Sequence, residues 1–249
     1  MGPCWPSSEP KLMRRLVCPE ALDDLDPSDP RAVRARGDLQ RVHRAMGSLT
    51  ILRNLIARLP LAAAPKTILE LGAGDGTLLL RLARALASWR GVELTLLDRQ
   101  RVVSPETLEG FRKLKWRVSV ACEDALSWAS DPAETRFDLC VTTLFLHHFK
   151  DDDLGVLLEG IARRCDAFIA SEPRRDLLAT VGSRLVGLLG TNAITRGDAV
   201  KSVAAGFSGR ELSDAWPKGS SGWRLREFRA PPFSHCFLAA RLEYGARLE

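Results

Sequence analysis

The fold is decided by the stretch from Ile68 to Thr77, which reads ILELGAGDGT. A short apolar run ends in the glycines Gly72, Gly74 and Gly76, and the leucines that follow recur at helical spacing. Glycine allows the backbone to approach a ligand closely and to take torsions closed to other residues. The next helix points the free N–H groups of its first turn at the same place. The stretch therefore predicts a strand, a ligand-binding turn and a helix.

Outward from this turn, apolar runs alternate with segments of helical spacing. The runs predict seven strands, at residues 67–71, 92–97, 116–121, 137–143, 167–171, 223–228 and 234–242. Strands that alternate with helices pair in parallel, whereas the last two runs are close enough in the chain to form a hairpin. The sequence thus predicts an α/β fold with a seven-stranded, mostly parallel sheet, helices on both faces and a C-terminal antiparallel hairpin.

The residues before the first strand are predicted as a separate unit. Residues 1–62 form an N-terminal arm and helical cap, and residues 63–249 form the sheet domain. Residues 1–27 are rich in Pro, Ser and Asp, which favours a loosely ordered arm. A helix is expected to begin at Asp29 and Pro30, because Asp is a good N-cap and Pro suits the first turn.

Composition narrows the class of protein. The chain has 249 residues, 45% of them hydrophobic, enough for one α/β domain with a real core. The net charge of +5 comes mostly from arginines scattered along helices, which is typical of solvated helix faces, so no nucleic-acid partner is expected. The six cysteines form no C-x-x-C pair, which predicts neither a disulfide framework nor a zinc site. No signal peptide and no apolar run of ~18 residues is present, so we expect a cytoplasmic protein without a membrane span.

The ligand of the turn is predicted from its chemistry. A dinucleotide loop has the pattern G-x-G-x-x-G/A, and here Gly72 and Gly74 fit but Thr77 stands at the last position. The acidic Glu70 beneath the loop gives nothing to a pyrophosphate, but it suits a cationic ligand. S-adenosylmethionine carries a sulfonium and an ammonium group. A nicotinamide-dependent oxidoreductase is therefore the weaker alternative.

The segment from Glu70 to Gly76 resembles the first motif of class I S-adenosylmethionine-dependent methyltransferases, and the likeness extends over about residues 66–172. It implies a Rossmann-like fold in which the turn holds the methionine part of the cofactor, Asp98 the ribose hydroxyls and Asp124 the adenine amino group. The cofactor-binding residues implied are Glu70, Gly72, Ala73, Gly74, Asp75, Gly76, Asp98, Arg99, Asp124, Ala125 and Thr143. Asp98 has the alternative role of a solvated loop residue, and Asp124 that of a helix N-cap, which is compatible with binding.

The residues after the fourth strand carry the predicted chemistry. Leu144–Phe149 is similar to the L-x-L-H-H-F stretch of small-molecule methyltransferases, including those of quinone and polyketide pathways. The resemblance implies His147 and His148 as catalytic candidates, because an acceptor hydroxyl has to lose its proton and imidazole is a suitable base. His148 is favoured, and the alternative is structural packing of either ring. The predicted substrate-binding residues are Leu144, His147 and Arg174, and the alternative for Arg174 is a solvent-facing side chain. The arm resembles an active-site lid, and the alternative is a solvated extension.

These observations predict an enzyme that methylates a hydroxyl of a small, fairly apolar acceptor, such as a phenol, quinol or polyketide-derived compound. The alternatives are methylation of carbon in a similar acceptor, an RNA or protein methyltransferase, and a non-catalytic cofactor-binding protein. No metal is predicted. The very apolar helical stretch at residues 174–190 predicts an acceptor pocket or the contact of a homodimer, with ordinary core as the alternative.

Overall fold

The computed structural model describes residues 14–61, 63–132, 135–219 and 222–242. Its strands are β1 (Thr67–Leu71), β2 (Glu93–Asp98), β3 (Arg117–Cys122), β4 (Phe137–Thr143), β5 (Cys165–Pro173), β6 (Trp223–Ala230) and β7 (Ser234–Arg241). Its α-helices are α1 (Pro30–Ala45), α2 (Ser48–Ile56), α3 (Thr77–Ala85), α4 (Pro105–Lys113), α5 (Ala125–Ser130), α6 (Asp151–Arg164), α7 (Leu177–Leu185), α8 (Ala193–Ala205) and α9 (Glu211–Ala215). Each predicted strand is present, with ends shifted by no more than two residues.

In the described part of the chain the seven strands form one sheet in the order β3-β2-β1-β4-β5-β7-β6. All neighbours pair in parallel except that β7 runs antiparallel to β5 and to β6. This confirms the predicted fold class and the C-terminal hairpin. The strand order reverses beside β1, where Leu71 pairs with Leu97 of β2 and with Thr142 of β4. Ligands of open α/β sheets bind at the carboxyl ends of the strands at such a point.

Helices cover both faces of the sheet because its central strands are apolar on both sides. One core lies between the sheet and α2, α3 and α4, and the other between the sheet and α5, α6 and α9. Leu52 and Leu55 of α2 are fully buried in the first core. Each buried leucine contributes about 2 kcal/mol to stability, so α2 is an integral layer of the sheet domain.

The N-terminal region begins as predicted but is more ordered than expected. The carboxylate of Asp29 accepts a hydrogen bond of 2.7 Å from the N–H of Arg31 and caps α1. Residues 1–13 of the predicted arm lie outside the described residues. For residues 14–27, which we call the arm from here on, the expectation of loose order is wrong. The backbone N–H groups of Ala21 and Leu22 donate to the carboxylate of Asp198 on α8, at 2.8 and 3.0 Å.

The apolar stretch at residues 174–190 is helical, as predicted. It forms α7, capped by Asp176, followed by a 3-10 turn at Val186–Leu189. Its leucines and Val181 are exposed, Leu177 and Leu188 by 77% and 83%, whereas Ala179 and Val186 are buried. The interpretation of this segment as ordinary core is therefore wrong. Within the described residues, no helix combines the length and the apolar character needed to cross a bilayer.

Candidate active site

The glycine turn at the end of β1 has the backbone conformation that its sequence requires. Gly72, Gly74 and Gly76 have φ angles of 69°, 52° and 69°, in the left-handed region that other residues avoid. A Cβ on Gly72 would overlap the ring of Phe145, so the close approach also demands glycine. The N–H groups of Gly72 and Ala73 donate to the carbonyl of Leu97, at 2.9 and 3.1 Å, and join the turn to β2.

The carboxylate of Glu70 lies buried beneath this turn. Among the described residues, none forms a hydrogen bond to its Oε2 atom. Burial, reinforced by Asp75 and Asp98, raises the pKa of Glu70 well above its usual range. An unpartnered buried carboxyl is costly, and a cationic ligand at the turn satisfies it. The residue therefore fits the positively charged methionine part of S-adenosylmethionine.

Asp98 and Asp75 tie the turn to its surroundings. Asp98 accepts hydrogen bonds from the N–H of Gly74 at 2.8 Å and from the N–H of Gln100 at 2.9 Å, so it is more than a solvated loop residue. Asp75 accepts from the backbone N–H of Thr77 at 3.0 Å, and its other oxygen accepts from the Gln40 amide of α1 at 2.8 Å. The ribose role of Asp98 and the cofactor role of Asp75 stay predictions.

At the end of β3, Asp124 is the N-cap of α5. Its Oδ1 atom accepts hydrogen bonds from the N–H groups of Leu126 and Ser127, at 2.9 and 3.2 Å. The capping interpretation is confirmed, and Oδ2 makes neither of these bonds. Ala125 is buried behind the cap, and Arg99 extends to within 4.0 Å of Asp23 on the arm. The cofactor roles of Asp124, Ala125 and Arg99 stay predictions.

The end of β4 places two hydroxyls and one strained residue beside the turn. Thr142 and Thr143 are buried, and neither hydroxyl has a hydrogen-bond partner among the described residues. Leu144 has a φ of 53°, which a side chain with a Cβ rarely adopts, and its N–H donates to the carbonyl of Ser171 at 2.9 Å. This left-handed residue ends β4 and turns the chain toward the two histidines. The binding roles of Thr143 and Leu144 stay predictions.

Glu172 of β5 organises the segment after β4, and sequence reasoning missed it. Its Oε1 atom accepts from the N–H groups of Phe145 and Leu146, at 3.1 and 3.0 Å, while Oε2 lies 2.8 Å from Nδ1 of His147. The carboxylate is fully buried. The signal was present, because an acid ends the apolar strand β5 much as Asp98 ends β2. Glu172 thereby holds the loop that carries both histidines.

His147 is enclosed between two carboxylates. It is 2% exposed, with Nδ1 beside Glu172 at 2.8 Å and Nε2 beside Glu20 of the arm at 3.3 Å. Burial opposes the charged form of the ring, but the two carboxylates outweigh it and raise the pKa of His147 to about 9. At neutral pH His147 is therefore a buried imidazolium held in a double ion pair.

His148 has a different environment. Its Nδ1 atom lies 3.1 Å from Oδ2 of Asp23, which the arm brings to it from 125 positions earlier in the chain, and its side chain is 24% exposed. Within the described residues, none forms a hydrogen bond to its Nε2 atom. The ring lies 4.3 Å from that of His147 and 6.3 Å from that of Phe145. A carboxylate on Nδ1 favours the tautomer in which Nε2 carries the free lone pair.

The arm is fixed across this cluster by its own bonds. Arg15 donates from Nε to the carbonyl of Ala205 at 2.8 Å and from Nη2 to the carbonyl of Phe149 at 2.7 Å. The carboxylate of Glu20 also accepts from the hydroxyl of Ser202 on α8. The arm therefore carries Glu20 and Asp23, two of the three carboxylates that face the two histidines.

Arg174 lies away from the contacts that build this cluster. Its side chain is buried, donates to the carbonyl of Pro232 at 3.0 Å and pairs with Asp176. The interpretation of Arg174 as a solvent-facing residue is wrong. Its predicted contact with the substrate stays a prediction.

Three residues of the cluster have the composition of a metal site. Glu20, His147 and His148 each offer one atom, and the three atoms lie within 4.8 Å of one another. Two imidazoles and a carboxylate suit a divalent transition metal. However, both ring nitrogens of His147 already face carboxylates, so the cluster is complete as an imidazole–carboxylate network. That the protein uses no metal stays a prediction.

Comparison with known proteins agrees with this description. Residues 68–167 match the family model of a methyltransferase domain. The plantazolicin methyltransferase BpumL, solved with SAH, aligns with a TM-score of 0.60 at 15% identity, covering 86% of this chain and 91% of that one. The mitomycin 7-O-methyltransferase MmcR aligns with a TM-score of 0.55 at 21% identity, covering 86% and 58%. An O-methyltransferase family protein from Burkholderia thailandensis aligns with a TM-score of 0.57 at 14% identity, covering 86% and 60%. Among curated proteins, none matches this chain.

The sheet order shows a Rossmann-like fold, and the glycine turn over the buried Glu70 suits a cationic ligand. The match over residues 68–167 identifies that segment as a methyltransferase domain. Such a domain implies S-adenosylmethionine as the cofactor, in agreement with the activity and the cofactor that the sequence predicts.

Proposed function

We propose that the enzyme methylates a hydroxyl group of a small, fairly apolar acceptor, such as a phenol, a quinol or a polyketide-derived compound. The observation that carries the proposal is the pair formed by His148 and Asp23, with Nδ1 and Oδ2 separated by 3.1 Å beside the end of β4. A hydroxyl acceptor needs a base at this position, because it has to lose its proton during methyl transfer.

The two histidines are suited to different tasks. His147 is already protonated near neutral pH, since its pKa is about 9, and both of its nitrogens face carboxylates. It therefore serves as a positioning residue. His148 is partly exposed and has a carboxylate on one nitrogen only, so its Nε2 is the proposed proton acceptor.

The proposed chemistry is a direct displacement. When bound, S-adenosylmethionine supplies a methyl group on a positively charged sulfur, which leaves as a neutral thioether. Nε2 of His148 takes the proton of the acceptor hydroxyl as the oxygen forms its bond to the methyl carbon. Asp23 stabilises the resulting imidazolium and holds the ring in its orientation. The rest of the site acts through alignment of the two reactants.

Two further observations support an aromatic, fairly apolar acceptor. The ring of Phe145 lies 6.3 Å from that of His148 and packs edge to face on Phe149 at 5.1 Å. Aromatic acceptors pack well against such rings. In addition, the mitomycin 7-O-methyltransferase and the plantazolicin methyltransferase that share this fold are named for small molecules.

The test is product formation with a panel of phenols, catechols and hydroquinones, measured by mass spectrometry in the presence and absence of a chelator. His148→Gln is expected to lower kcat about 100-fold or more, because general base catalysis contributes at least that much. Asp23→Asn is expected to lower it about 10-fold or more, since an amide favours the wrong imidazole tautomer. Asp24→Asn, the matched control at an exposed neighbour, keeps full activity.

The affinity for S-adenosylhomocysteine, measured by calorimetry, is expected to stay unchanged in all three variants. Full activity of His148→Gln from pH 6 to 9 would contradict the role of the base. A product whose new methyl group is bonded to carbon, seen by its NMR shift, would replace O-methylation by C-methylation. Absence of methylation with every small acceptor, together with modification of RNA or protein, would reject the proposed acceptor class.

A further inference from the structure

One surface of the molecule is far more apolar than the rest. Eleven large apolar residues are exposed in the described part of the chain, and six of them lie on α7 and the 3-10 turn after it. We call these six the leucine face: Leu177, Leu178, Val181, Leu185, Leu188 and Leu189. Water-exposed apolar side chains at this density mark an interaction surface.

The charges around the leucine face are of one sign. Between Asp176 and Asp198 the only charged residues are Arg184 and Arg196, and both are exposed. Arg41 of α1 donates to the carbonyl of Gly190 at 3.1 Å at the end of the face, but it pairs with the buried Asp38 and adds no net charge there. The two flanking acids are engaged elsewhere, Asp176 with Arg174 and Asp198 with the arm.

We infer that the leucine face docks on the surface of an anionic lipid membrane. A helix with leucines on its outer side and arginines beside them, with no acid among them, has the composition of helices that lie in the membrane interface. Arginines near an anionic bilayer strengthen binding through electrostatic attraction. A second copy of this chain is less suitable, because Arg184 and Arg196 would meet arginines of the other copy without acids to balance them.

The position of this face relates it to the site. α7 packs on α8, and α8 holds the arm through Asp198 and Ser202. Docking would therefore bring the edge that carries the arm and His148 close to the lipid. This part of the inference rests on the proposed function, because a fairly apolar acceptor partitions into a bilayer and would reach the enzyme there. Docking itself does not depend on the acceptor.

The test is co-sedimentation of the whole protein with vesicles of phosphatidylcholine, alone or mixed with phosphatidylglycerol. The bound fraction is expected to rise about 10-fold or more with phosphatidylglycerol and to fall with added salt. Leu185→Asp is expected to lower binding about 10-fold or more, since it removes an exposed leucine that the lipid would bury and adds a negative charge like that of the lipid. The matched control is Leu242→Asp outside this face, where the leucine is 59% exposed compared with 53% for Leu185. It keeps full binding.

Three results would overturn the inference: no binding to either kind of vesicle, equal losses in Leu185→Asp and Leu242→Asp, or a dimer in light scattering that Leu185→Asp dissociates. The last result would assign the face to self-association. Calorimetry with S-adenosylhomocysteine accompanies every variant, so a protein that binds the nucleoside but no vesicle contradicts only the membrane inference. One that binds vesicles but methylates no small acceptor contradicts only the proposed function.

Discussion

At the edge of the sheet where the parallel strands end, the site is built differently on the two sides of the point at which the strand order reverses. On the cofactor half, where β1, β2 and β3 end, Asp98 and Asp124 accept hydrogen bonds from backbone N–H groups of nearby turns, and Glu70 has an oxygen with no hydrogen-bond partner among the described residues. On the histidine half, where β4 and β5 end, His147 lies between Glu172 and Glu20. The first half has an unpartnered carboxylate oxygen that suits a ligand, whereas in the second half the buried carboxylates and His147 satisfy one another and only the hydroxyls of Thr142 and Thr143 lack a partner among the described residues. The first half is suited to bind a ligand, and the second to position the two histidines.

This difference predicts that damage to the cofactor half appears as lost affinity for the nucleoside. Asp98→Ala has the largest expected effect, a fall of about 1,000-fold in affinity for S-adenosylhomocysteine, because two hydrogen bonds to a charged group contribute about 4 kcal/mol. Calorimetry measures it. Glu93→Ala is the matched control, since this acid stands at the opposite end of β2 in a surface pair with Arg117. If Asp98→Ala bound S-adenosylhomocysteine within about 5-fold of the unmodified enzyme, Asp98 would not bind the nucleoside, because a lost hydrogen bond to a charged group costs more than that.

On the histidine half, damage should appear as a change in stability with pH. The pKa of His147 is raised to about 9 in the folded protein, from 6.5 in the unfolded chain. The stability from this ion pair is therefore fully present below pH 6.5 and is lost as the pH rises through about 9. His147→Gln should thus lower the free energy of unfolding by about 3 kcal/mol at pH 6 and by much less at pH 10.

Urea unfolding at both pH values measures this difference. The control is His43→Gln, because burial lowers the pKa of His43 to about 4 and the ring is neutral throughout this pH range. A constant difference between unmodified protein and His147→Gln would show that His147 carries no charge in the fold.

The smallest effect is expected at Asp124, where cap and ligand roles coincide. Asp124→Ala should lower stability by about 1 kcal/mol through loss of the N-cap. Asp124→Ser separates the roles, because serine caps a helix well but offers no carboxylate. We expect Asp124→Ser to keep the melting temperature and to lose about 10-fold in affinity for S-adenosylhomocysteine. If Asp124→Ser and the unmodified enzyme bound S-adenosylhomocysteine equally well, Asp124 would act only as the N-cap of α5.

The two halves also differ in how far sequence predicts them. The glycine turn, Asp98 and Asp124 were predictable because each stands next to the end of a strand, and the bonds of the turn's backbone and of the two carboxylates reach no further along the chain than from Gly72 to Leu97. Glu20 was not, because it meets His147 across 127 positions and no local pattern records that contact. Asp23 was missed as a partner of His148 for the same reason.

The strands were predictable for a related reason, since a parallel sheet needs continuous apolar runs and these stand out in the sequence. Helix α7 was predicted from the sequence, but the exposure of its leucines was not. Spacing shows that a helix has an apolar face, whereas only the folded chain shows whether anything covers it. The exposure of Leu185 and Leu188 depends on where α8 and α1 lie, and that is decided by the whole fold.

The arm has a consequence for how such an enzyme changes over generations. Glu20 and Asp23 stand outside the segment 68–167 that matches the methyltransferase domain. If the proposed function holds, mutations confined to the arm change the groups around the acceptor while the glycine turn stays intact. Such mutations alter which acceptor is methylated without disturbing the methyltransferase domain itself.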